Sequence, residues 1–168
     1  MDILLDSFNH FRPSQRIGST QEHAHVTSSE QAMHSPTVAP STLLSVAAST
    51  EQLLPLRALV RTATAHYAVS VDSLTDLVLA VDEAATTLIG HALPHSALTC
   101  TFDLDGVANL HLKVTVNAAS SVNVSSTSFG WIILKTLVDD VVLEQVPAAE
   151  EGAWTVTIIL TKALPAGS

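Results

Sequence analysis

Three polar side chains recur at helical spacing in a stretch that is otherwise apolar. Glu83, Thr87 and His91 lie four residues apart within VDEAATTLIGHA, positions 81–92. On a helix that spacing stacks them in one row. A carboxylate, a hydroxyl and an imidazole can between them move a proton or hydrogen-bond a ligand. Thr86 and Gly90 flank the row. A solvated helix face is ordinarily rich in lysine and long glutamate pairs. This one is short-chained and carries a glycine, which costs about 1 kcal/mol against alanine inside a helix. Such a face suits close approach by another group. Two further features could carry chemistry. Arg57 and Arg61 repeat at a four-residue interval, and Gly130 opens the run GWIILKTL. A glycine turn ahead of a helix can cradle phosphate through free N–H groups and the helix dipole.

The elements that must position these groups are legible from periodicity. Leu74, Leu77, Val78, Val81, Ala85, Leu88, Ile89 and Ala92 predict a helix over Asp72–Ala92. Asp72 is its expected N-cap, Asp76 adds negative charge near the first turn, and Leu93-Pro94 ends it. An earlier helix starts after Ser49-Thr50-Glu51-Gln52, tolerates Pro55 in its first turn, and turns Leu53, Leu56, Val60 and Ala63 inward. Leu44, Val46 and Ala48 suggest a short first strand. Leu98–Leu104 and Leu110–Val116 alternate around the turn signal Asp105-Gly106, which predicts an antiparallel hairpin with one buried face. Val141–Val146 and Trp154–Thr161 supply two more strands, joined by an acidic turn at Pro147–Gly152. The expected order is β-α-α-β-β-α-β-β, a two-layer α/β (α+β) sandwich of helices on a mostly antiparallel sheet.

Composition narrows the function classes. The chain has 168 residues, of which 47% are hydrophobic and only 4% aromatic, so its core must be aliphatic. The formal net charge is −9 with seven scattered basic residues, which argues against direct nucleic-acid binding. No apolar run reaches the roughly 18 residues of a membrane span. MDILLDSFNH has no basic segment followed by a long apolar one, so a cytoplasmic location is expected. Cys100, the single cysteine, reads as a small buried hydrophobe, and the eight histidines show no metal-ligand spacing. Residues 1–39 are rich in Ser, Thr, Gln, His and Pro, which predicts a disordered tail ahead of one domain at 40–164.

VDEAATTLIGHA resembles the first nucleotide-binding box of the GHKL (histidine-kinase-like) ATPases, and most closely that of the RsbW-type anti-sigma-factor serine kinases, including their divergent UsfX-type mycobacterial branch. The box there reads roughly E-A-x-T-N-A-x-x-H. Glu83 matches the glutamate that serves as catalytic base, and Thr87 stands where the family has the asparagine that helps hold Mg²⁺. Ser128–Val141 resembles the second glycine box, with Gly130 matching one glycine and Val138-Asp139-Asp140-Val141 close to the family's helix end and next strand. At the adenine position, usually D-x-G-x-G, Asn117 or Ala118 replaces the aspartate and no glycine follows.

The resemblance implies the GHKL fold over residues 42–162 and an anti-sigma factor that sequesters an alternative, stress-type sigma factor. A STAS-type antagonist would counter it. The resemblance further implies ATP with Mg²⁺ as cofactors, with His91, Asn117 and Gly130 beside Glu83 and Thr87, and serine kinase activity toward the antagonist. Arg57 matches a first-helix arginine used for partner contacts, and Arg61 shares its helix. Dimerisation is expected through the sheet, whose first strand offers a free edge.

Overall fold

The computed structural model describes residues 42–67, 69–105, 109–149 and 152–165. The expected tail and the Gly106 position of the hairpin turn lie outside them. The elements run β1 (Thr42–Ala47), α1 (Leu53–Thr64), α2 (Val71–Ile89), β2 (Ala97–Asp105), β3 (Asn109–Ala118), α3 (Phe129–Leu137), β4 (Asp140–Pro147) and β5 (Trp154–Ala163). This is the order read from the sequence. A single 3-10 turn, Thr50–Gln52, leads into α1, with Ser49 as its N-cap.

The strands form one antiparallel sheet ordered β1-β2-β3-β5-β4. Period-two alternation gives the sheet one apolar face. Phe102, Leu112, Leu160 and Val141 meet side by side across four strands, and all are buried. The next row, Leu44, Cys100, Val114, Ile158 and Leu143, spans all five. Helix α2 lies over β3 and β5, flanked by α1 and α3. Its Leu77, Val78, Val81, Ala84, Ala85 and Leu88 are buried against the sheet and its neighbours. Leu56, Val60 and Ala63 of α1 join them, as do Trp131 and Leu134 of α3.

Helix α2 differs from expectation at both ends. Ser70, not Asp72, is the N-cap, its hydroxyl accepting from the Ser73 N–H at 3.1 Å. Ser70 alone has the extended backbone that aims a side chain at the first-turn donors. Asp72 instead sits inside the first turn, where its charge favours the dipole. At the other end Gly90 is the C-cap, so the glycine closes the helix and does not interrupt it. The chain turns there because the Leu93 N–H donates to the Asn117 carbonyl of β3 at 2.8 Å.

Helix α3 runs back along α2. Its start lies at Glu83, where Gly130 packs against that carboxylate. Its end is tied by Lys162, which donates to the Leu137 carbonyl at 3.1 Å and stands 3.9 Å from Asp76. A lysine at a helix C-terminus satisfies a free carbonyl and complements the dipole.

Candidate functional site: a cavity between the second and third helices

Glu83, Thr87 and His91 line one side of a cavity of about 410 Å³. Gly130, Trp131 and Ser128 at the start of α3, with Asn123, Val124 and Ser125 of the preceding loop, line the rest. Helix periodicity places Glu83 and Thr87 on one face of α2. His91 reaches the cavity from just past the helix end. The row read from the sequence is therefore brought together with Gly130 by tertiary packing.

The loop carrying Asn123–Ser125 is held by a side chain from a distant strand. Gln145 on β4 accepts from the Val122 N–H at 2.5 Å and donates back to the Val122 carbonyl at 2.8 Å. One amide thus satisfies both backbone groups of a buried residue, as a strand partner would. Ser125 and Ser128 finish the turn into α3. The Ser128 N–H donates to the Ser125 carbonyl at 2.9 Å, and the Ser128 hydroxyl caps the helix by accepting from Trp131 N–H at 3.3 Å.

Glu83 approaches Gly130 so closely that a Cβ on residue 130 would collide with its carboxylate, lying 3.2 Å from Cδ and nearer still to Oε1. The glycine is needed for contact with Glu83, independent of any special backbone angle. Glu83 makes no side-chain hydrogen bond or ion pair among the described residues. Its neighbour Asp82 is fully engaged, taking Arg57 Nε at 2.7 Å and Nη2 at 2.8 Å. That hydrogen bond, and then the charge of Asp82, push the Arg57 guanidinium above its ordinary range.

The cavity's groups do not match a magnesium triphosphate. Among the described residues it is lined by one carboxylate and by no lysine or arginine, so the N–H groups at the α3 start would have to hold a phosphate without a cation. The Glu83 carboxylate occupies the approach to Gly130 that a phosphate would need. Among the described residues, no three of His, Cys, Asp or Glu converge as a metal site. Asn117, expected beside the adenine, does not line the cavity. It is the penultimate residue of β3, on the opposite face from buried Val116 and Ala118, and accepts from the Thr155 hydroxyl at 3.2 Å.

Arg57 and Arg61 also lie away from the cavity. Arg61 is exposed. Arg57, expected as a free partner contact, is half-exposed and committed to Asp82. The sequence reading missed Asp82, twenty-five residues from its partner, because an interhelical pair leaves no local pattern. It also left Asn123, Ser125, Ser128 and Trp131 out of the site. Asn123, Ser125 and Ser128 lie in the polar run Ser120–Ser128 between a strand and a helix, whereas Trp131, inside α3, has no such signal.

No family model matches the chain. It is similar to the anti-sigma-F factor RsbW of Mycobacterium tuberculosis, from strains CDC 1551 / Oshkosh and ATCC 25618 / H37Rv, at 38% identity over 100 residues. The match takes in 58% of this chain and 58% of the length of each relative. In fold the chain is similar to a crystal structure of the RsbU and RsbW domains of Rv1364c from the same organism. The TM-score is 0.53 at 16% identity, over 77% of this chain and 35% of the other. The chain is thus similar in sequence, over 100 residues, to an anti-sigma factor, and in fold, over most of its length, to part of a chain that contains an RsbW domain.

Proposed function

We propose that this chain is an anti-sigma factor that captures an alternative, stress-type sigma factor in the cytoplasm and is itself countered by a STAS-type antagonist. The observation that carries the reading is the joining of Glu83, Thr87 and His91 to Gly130 across one cavity, in a chain 38% identical to an anti-sigma factor over 100 residues. Its architecture is kept while the groups that would grip a nucleotide are altered. Capture rests on the α1 surface, where Arg61 is exposed with no side-chain partner among the described residues and Arg57 can exchange Asp82 for a partner carboxylate. The chain acts as a homodimer paired through its sheet, with β1 an edge strand.

A second reading, a serine kinase using ATP and Mg²⁺, draws on Glu83, a carboxylate at the position of a catalytic base. Asn117, away from the cavity, and the lack of lining lysine or arginine among the described residues weigh against it. Co-expression with the host's alternative sigma factors, followed by size-exclusion chromatography, tests capture. A stable complex with one of them is expected, weakened by Arg61→Glu. Failure to recover any complex would overturn the proposal.

A further inference from the structure

The mismatch between the cavity and an anionic ligand has a chemical direction. Two adjacent carboxylates on α2 meet different fates: Asp82 is neutralised by Arg57, while Glu83, half-buried in the cavity wall, has no partner among the described residues. Glu83 stands at the start of α3, whose dipole favours a negative charge, yet its carboxylate takes no side-chain hydrogen bond among the described residues and can still accept donors from a ligand. The polar side chains around it can accept a hydrogen bond: the hydroxyls of Thr87, Ser125 and Ser128, the amide of Asn123 and, when neutral, the ring of His91. Trp131 supplies an aromatic wall. Among the described residues no lysine or arginine lines the cavity, and the whole chain carries a formal charge of −9, which raises the local concentration of cations.

We propose that the Glu83 cavity is a receptor for a guanidinium group, presented as an arginine side chain by a partner protein. A guanidinium offers a fork of N–H donors that a carboxylate accepts two at a time. Its remaining N–H groups reach the ring of hydroxyls, and its flat face can stack on the indole of Trp131. The rim residues His91, Asn123 and Ser125 are exposed, so the mouth admits a side chain from another molecule. The site is separate from the α1 surface and does not depend on the partner being a sigma factor.

Isothermal titration of the full 168-residue chain decides the matter. The probes are acetyl-Gly-Arg-Gly-amide, the same peptide with citrulline for arginine, agmatine, and ATP with Mg²⁺. The arginine peptide is expected to bind with millimolar affinity or better, and its uncharged citrulline analogue about tenfold more weakly. Glu83→Gln should lower arginine-peptide affinity by about tenfold and leave the citrulline peptide unchanged. Should that variant not fold, the citrulline comparison on the native chain still decides. Equal binding of the two peptides, or none by the arginine peptide, overturns the proposal, as does ATP with Mg²⁺ binding more tightly than the arginine peptide. Agmatine binding about tenfold more tightly than the peptide would assign the cavity to a free guanidine and overturn the protein-borne arginine.

Discussion

Arg57 and Asp82 join the first and second helices by a two-pronged ion pair, with Nε to Oδ1 at 2.7 Å and Nη2 to Oδ2 at 2.8 Å. The pair stands beside Glu83 in sequence and engages the neighbouring helix in place of the cavity. Being partly exposed, it contributes modestly and is screened by salt. Asp82→Asn should lower the melting temperature slightly at low ionic strength and by less in 1 M salt, a contrast that differential scanning calorimetry reads directly. The same substitution frees Arg57, so the proposed capture of a sigma factor should be preserved or strengthened. Arg57→Ala should weaken it.

Gly130 and Glu83 should be coupled energetically. A helix glycine replaced by alanine ordinarily gains about 0.5–1 kcal/mol. With Glu83 in place that gain should vanish, because the new methyl group must push the carboxylate aside. In a Glu83→Ala background Gly130→Ala should become stabilising. A double-mutant cycle by urea denaturation measures the difference, and additive effects would show that the contact is unimportant.

Gln145→Ala should cost about 1–3 kcal/mol, since it strands the buried N–H and carbonyl of Val122. The effect should be local as well as global. Hydrogen exchange at Val122 and along the loop to Ser128 should accelerate more than exchange in β3 or β5.

Leu88→Ala tests the core. Leu88 is fully buried in α2, and its truncation should cost about 2–5 kcal/mol with an unchanged denaturant slope.

Cys100 should be inert while the protein is folded. Burial pushes its thiol up to about 12 from an ordinary 9.0. The native state therefore favours the neutral thiol, and its contribution to stability is complete below pH 9 and lost as pH rises toward 12. Modification by a thiol reagent at pH 8 should follow the rate of unfolding, and Cys100→Ser should flatten the alkaline fall in stability.

The sequence by itself determined the elements and their order. Leu98, Cys100 and Phe102 alternate with polar partners, so β2 has one possible buried face. Leu77, Val78, Val81, Ala85 and Leu88 fall at helical intervals, so α2 has one possible buried stripe. Side-chain period is a local property, set by backbone geometry within a few residues, and it placed Glu83 and Thr87 in a row before any packing was known.

Packing decided the rest, because it joins residues with no shared local pattern. Only the folding of α3 back along α2 sets Gly130 against Glu83, forty-seven residues away in sequence. Gln145 anchors Val122 across twenty-three residues, and Asp82 claims Arg57 across twenty-five. Asn117 shows the converse, for its place along the chain suggested a ligand contact, while the pleat of β3 turned its side chain to the face away from the helices, toward Thr155. Which of two neighbouring carboxylates is neutralised, and which is left facing a cavity, depends on what the opposing elements bring to each, and that is fixed only when the layers close.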